Sequence, residues 1–274
     1  FAVYVDSLIH SLRRSSYGIF VGSTFMGCIF YADDIVLLSC TCNGLQSLNN
    51  ICINFSSAWD IKLNPRKSQV ATFGGHCPQS FNILVNNEPL LWAETIRYLG
   101  CDFVCRTCQV DPKKAIGKFY GSFNNIVSVL GRNRNEMMAV HLVKSYCLPA
   151  LLYSCEVWSL NDSALHSVGV AWNNSFRKIF NACWRESVAT LQFYCNDMPV
   201  RYIIDQRKIL FYKKLLRSEN SILTLCFNLA RNNVNALCAK YGVILSCQSA
   251  NTIRQRVMNT FINTTVPFLI CYCF

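Results

Sequence analysis

Two adjacent carboxylates, Asp33 and Asp34, stand in the middle of the apolar stretch CIFYADDIVLLSC at residues 28–40. Paired carboxylates suit a hard divalent cation such as Mg2+, which takes oxygen ligands and keeps positions open for substrate phosphates. Two such ions, roughly 3.5–4 Å apart, stabilise the attacking and leaving oxygens of an in-line phosphoryl transfer. The plainer alternative is a solvated turn, because aspartates bond nearby backbone amides and are common in turns. Apolar flanks favour a fixed platform: a cation would neutralise the charge while the flanking strands hold it in place.

The elements that must position the pair follow from the patterning around it. Ala2, Val5, Leu8, Ile9 and Leu12 recur at three- and four-residue steps and predict an amphipathic helix over 2–14. FMGCIF before the aspartates and IVLLSC after them are rich in strand-forming residues, so the stretch reads as a hairpin with the acids at its tip. Helical period returns from Asn43 to Trp59, with Thr41 or Asn43 as cap, and LNPRKS stops it. QVATF then reads as a strand, FNILVNNEPLLW as a hairpin turning at Asn86-Asn87, and TIRYLGCDFV as a further strand. The expected fold class is α+β, an antiparallel sheet with helices on one face, followed by an all-helical part. Helices are expected from Asp111-Pro112 to Gly131 and over 135–147, 150–160, 162–180, 199–217 and 251–261.

Charge divides the chain at the same place. Of the net +11, none arises before residue 111, where seven basic residues balance seven acidic ones. The excess lies in the helical part, which suits a polyanionic partner such as nucleic acid. Arg207, Lys208, Lys213, Lys214 and Arg217 share one expected helix and read either as phosphate contacts or as a solvated face. The 17 cysteines are odd in number and irregularly spaced, which fits reduced core thiols better than a disulfide framework. Cys101, Cys105 and Cys108 lack the second pair or histidine of a zinc site. The apolar tract Ile19–Cys40 carries two aspartates too costly for a bilayer centre, and the terminal VPFLICYCF is too short to span one. The start lacks the basic lead and cleavage site of a signal peptide.

YADDIVLLS resembles the catalytic box of reverse transcriptases, in the form used by non-LTR (LINE-type, jockey-like) retrotransposons. FAVYVDSLIHSL resembles the helix after that family's template-handling box, and WDIKLNPRKSQVATF its next palm motif with an Asn-x-x-Lys-Ser core. IRYLGCDF is similar to the primer grip, and PALLYSCEVW to a segment in the thumb region. The resemblance implies part of a polymerase palm over 1–110, a helical thumb over 111–183 and a basic helical connector over 184–274. It implies an RNA-directed DNA polymerase that adds deoxynucleoside triphosphates to a DNA primer on an RNA template, with two Mg2+ ions, and a nuclear, intracellular setting. Carried over, Asp33 is a Mg2+ ligand, Asp34 assists, and Tyr31 and Ala32 lie by the primer end and incoming nucleotide. Lys67 sits near the leaving pyrophosphate or is a solvated turn lysine. Tyr98, Leu99 and Gly100 form the primer grip.

The family completes its metal site with a further aspartate on an upstream strand, which is not among these residues. Asp6 is a poor substitute, because it belongs to the expected helix. The chain begins with Phe1, so the expectation is a C-terminal piece, inactive alone. A second reading is a truncated, catalytically inactive remnant that binds RNA or DNA through its basic helices.

Overall fold

The computed structural model describes residues 2–75, 81–131 and 135–270. Contacts divide the chain into two units, residues 1–98 with 103–108, and residues 99–102 with 109–274.

The first unit begins with α1 (Ala2–Arg14), whose apolar stripe buries Val5, Leu8 and Leu12. Two hairpins follow. Strands β1 (Phe20–Val21) and β2 (Thr24–Phe25) pair antiparallel, as do β3 (Cys28–Tyr31) and β4 (Asp34–Leu37). Helix α2 (Cys42–Ala58) starts at Thr41, whose hydroxyl accepts from the Gly44 amide at 3.0 Å. Leu48 and Cys52 of α2 meet Leu8, Leu12 and Phe25 in one core cluster. Removing the cap hydroxyl in Thr41→Ala should lower the stability of this unit by about 1 kcal/mol, read as a shift in the urea midpoint with unchanged slope.

Strands β5 (Leu84–Val85) and β6 (Glu88–Pro89) form a third hairpin. Asn86 and Asn87 both take positive φ, 50° and 65°, as a two-residue turn of the primed type requires. Its exposed edge is covered by α2: Gln46 accepts from the Leu84 amide at 2.7 Å and donates to its carbonyl at 3.0 Å. Asn49 donates to the same carbonyl at 2.6 Å. The expected strand at QVATF is reduced to a single parallel bridge between Val70 and Trp92.

Residues 95–104 also differ from expectation. They form a hairpin of β7 (Thr95–Tyr98) and β8 (Cys101–Val104), joined edge to edge with β9 (Gln109–Val110) in the order β7-β8-β9. The break falls at Leu99 and Gly100, both at positive φ (45° and 82°). A two-residue loop needs that conformation, and only the glycine adopts it without steric cost.

The second unit is helical. Helix α3 (Lys113–Leu130) starts where Asp111 accepts from the Lys113 amide at 3.0 Å, and ends at Gly131 with φ 70°. Helix α4 (Glu136–Leu142), capped by Asn135, runs into a π-helical turn at Val143–Cys147 and a short α5 (Leu148–Leu151). The helix expected over 150–160 is broken at Ser154, which has φ 58°, leaving a 3-10 turn at Cys155–Val157. Helices α6 (Asp162–Phe180), α7 (Ala189–Tyr194), α8 (Val200–Leu215), α9 (Ser221–Leu229), α10 (Arg231–Lys240) and α11 (Ala250–Ile270) complete it. An aromatic core joins α3 to α6: Trp172 lies 5.0 Å from Phe176 and 6.4 Å from Phe119, ring centre to ring centre. The apolar C-terminal stretch from Val266 extends beyond the described residues.

Candidate functional site

Alternation along the β3–β4 hairpin sets which side chains are buried. The register pairs Phe30 with Ile35 and Cys28 with Leu37, and these four pack on the α1–α2 core. The opposite face pairs Ile29 with Val36 and Tyr31 with Asp34. Asp33 shares the two-residue loop with Ala32, and both aspartates are exposed. One face is therefore anchored on two helices, while the acids at the tip remain open to a ligand. The charge sits among apolar residues because those residues are the anchor.

The loop is strained. Ala32 has φ 49°, at the first loop position, where a tight hairpin turn of this kind favours glycine. An alanine held there costs roughly 1–2 kcal/mol, and such strain gathers at functional sites.

Tyr98, the last residue of β7, is also placed here. Its hydroxyl is buried and finds no hydrogen-bond partner among the described residues. Burial pushes its pKa up, and the fields of Asp34 and Tyr31 add to the rise. Tyr98 thus lies within electrostatic reach of the Tyr31–Asp34 pair. Leu99 and Gly100 occupy the turn beyond it. The Tyr153 hydroxyl donates to the Leu99 carbonyl at 3.1 Å, and a Cβ on Gly100 would lie 3.3 Å from the Tyr153 ring. Nothing in the patterning pointed to Tyr153.

Lys67 lies in the turn that begins at Asn64, whose side chain accepts from the Arg66 amide at 3.1 Å. The Lys67 side chain is exposed, and among the described residues no hydrogen bond or ion pair holds its ammonium.

The five cations expected on one helix divide, and Arg217 lies beyond the end of α8 at Leu215. Arg207 donates to the Leu152 carbonyl at 3.2 Å and lies 3.9 Å from Glu156. Lys208 donates to the Trp158 carbonyl at 2.8 Å and Lys213 to that of Leu245 at 2.9 Å. These three fasten the helix inside its own unit. Lys214 and Arg217 are exposed and free of such bonds among the described residues.

Cys101 and Cys105 are buried free thiols and Cys108 is exposed. Burial pushes the Cys105 thiol up, away from the thiolate a metal requires. Among the described residues, no three His, Cys, Asp or Glu side chains are grouped to hold a metal ion. No described helix is long and apolar enough to cross a membrane.

Residues 1–103 match the family model of reverse transcriptase (RNA-dependent DNA polymerase). No curated protein matches the chain. The matched segment takes in the hairpin, Lys67 and the Tyr98-Leu99-Gly100 turn. Reverse transcriptases generally use Mg2+. The chemistry of the donors fits that ion, since Mg2+ is held through one or two carboxylates and keeps waters and substrate phosphates in its other positions. Asp33 and Asp34 can supply those carboxylates, and a third described acid does not join them.

Proposed function

We propose that this chain is part of the reverse transcriptase of a non-LTR (LINE-type, jockey-like) retrotransposon, acting in the nucleus on an RNA template and a DNA primer. The observation that carries the reading is the exposed Asp33–Asp34 pair on a hairpin whose other face is packed on α1 and α2. Such a mounting holds the carboxylates in place, and positioning with electrostatic stabilisation supplies most of the catalysis in phosphoryl transfer.

In this reading Asp33 is a Mg2+ ligand and Asp34 contributes its charge beside it. Bound Mg2+ would stabilise the attacking 3′ oxygen of the primer and the leaving pyrophosphate oxygens. Tyr31 and Ala32 lie against the primer end and incoming deoxynucleoside triphosphate. Lys67, with no internal partner among the described residues, offers its ammonium to the pyrophosphate. Leu99 and Gly100 present their turn to the primer backbone. Residues 1–110 are the later part of the palm, 111–183 the thumb and 184–274 a basic connector, where Lys214 and Arg217 contact phosphates.

Two acids hold two ions poorly, so the 274-residue chain alone is inactive and a further acid from the complete reading frame is needed. Primer extension on an RNA template tests this. The complete frame should extend the primer and the 274-residue chain should not. Extension by the short chain, or none by the complete one, overturns the reading.

A further inference from the structure

The second unit carries an exposed turn at Trp184 and Arg185. Helix α6 ends in the run Arg177-Lys178-Ile179-Phe180, and the chain continues as Asn181-Ala182-Cys183-Trp184-Arg185-Glu186. Trp184 is 73% exposed. An indole is large enough that a protein normally hides most of it, so its exposure calls for a reason. The guanidinium of Arg185 lies over its ring, 4.8 Å from the centroid.

Hydrogen bonds shape the segment that carries the pair. The Glu186 amide donates to the Cys183 carbonyl at 3.1 Å, which closes a four-residue turn with Trp184 and Arg185 at its tip. Arg177 clamps both ends of the segment. Its carbonyl accepts from the Asn181 and Ala182 amides, and its guanidinium donates to the Glu186 carbonyl at 3.1 Å. Val188, 3% exposed, anchors the exit into α7. Beside the turn an open groove of about 820 Å3 is bordered by Phe180, Ala182, Ser187, Thr190 and Leu191.

We infer that the Trp184–Arg185 turn is a stacking platform for single-stranded nucleic acid, with a base lying against the indole and Arg185 meeting the adjacent phosphate. A π-face accepts any base, and a planar cation beside it supplies the charge complement. The surrounding charge agrees: Arg177, Lys178 and Arg185 outnumber Glu186 over residues 177–188, within the half of the chain that carries the whole positive excess. The inference goes beyond polymerisation, since it requires neither Asp33 nor a metal ion.

The test uses the 274-residue chain and a fluorescently labelled 12-nucleotide single strand, RNA or DNA, with a duplex of the same length beside it. Trp184→Ala should weaken single-strand binding roughly ten-fold or more, Trp184→Phe should keep most of it, and duplex binding should change little. Arg185→Ala should lower the slope of log affinity against log salt by roughly 0.7, one phosphate contact on a single strand. Unchanged melting temperatures would exclude loss of fold, as expected for exposed side chains. Equal binding by Trp184→Ala and the parent, or an equal loss on the duplex, overturns the inference. So does sedimentation in which Trp184→Ala turns a dimer into a monomer, which would make the turn a contact between copies.

Discussion

Asp33→Ala in the complete reading frame should abolish primer extension, lowering the rate by roughly a thousand-fold or more. The expectation follows from what the residue is asked to hold. A bound divalent ion contributes several kcal/mol of transition-state stabilisation, and each 1.4 kcal/mol or so is a factor of ten. Asp33 lies in the loop of a hairpin, exposed and away from the core cluster, so its loss leaves Phe30, Ile35, Cys28 and Leu37 packed as before. Folding should therefore be preserved while catalysis is not. Single-turnover rates with enzyme in excess over primer and template check this directly, because binding through the basic helices should stay within about two-fold of the parent. A remnant retained only for binding would show no such split, since Asp33 would have nothing to do.

Trp172→Ala should be the most damaging substitution in the helical unit, at about 3–5 kcal/mol. Trp172 has no exposed surface, packs edge-on against Phe176 at 5.0 Å and faces Phe119 at 6.4 Å. Its indole also donates to the Met198 carbonyl at 3.0 Å, so truncation leaves both a cavity and a buried acceptor without its donor. Trp172→Phe keeps much of the volume and should cost clearly less. Chemical denaturation followed by far-ultraviolet circular dichroism measures both. A loss below about 1 kcal/mol for the alanine variant would show that α3 and α6 do not share the core drawn above.

Much of the fold was legible where the pattern and its punctuation agree. The stripe over 2–14, the strand-forming runs either side of Asp33 and Asp34, and Thr41 as cap of α2 each determine an element locally. Residues 95–104 were misread as one strand because Leu99 and Gly100 interrupt neither the apolar run nor its composition; the hairpin follows from their positive φ values. Helix α9 escaped because Ser221–Leu229 is apolar on nearly every side, and α10 because Arg231–Lys240 is too polar to show a stripe. QVATF lacks a strand partner beyond the one bridge at Val70, which no local pattern reveals.

The candidate site was legible in part, for a similar reason. Asp33 and Asp34 announce themselves as charges in an apolar run. The field of Asp34 at Tyr98 reaches between strands distant in sequence and leaves no mark on either one. On α8 the residue types left phosphate contacts and a solvated face both open, and Arg207, Lys208 and Lys213 instead turn to carbonyl groups of Leu152, Trp158 and Leu245. Lysine and arginine stems pack along apolar surface while their heads seek acceptors, and sequence alone does not say whether the acceptor is a ligand or the protein itself.

The measurement that bears most directly on the hairpin is the binding of Mn2+ as a probe for Mg2+, followed by water-proton relaxation on the 274-residue chain with deoxythymidine triphosphate present. The triphosphate supplies oxygens that two carboxylates alone do not. The parent chain should enhance relaxation, and the double substitution Asp33→Asn with Asp34→Asn, which removes both charges at nearly constant shape, should abolish the enhancement. Equal enhancement by the two proteins would mean that these carboxylates are a solvated turn and not a cation site.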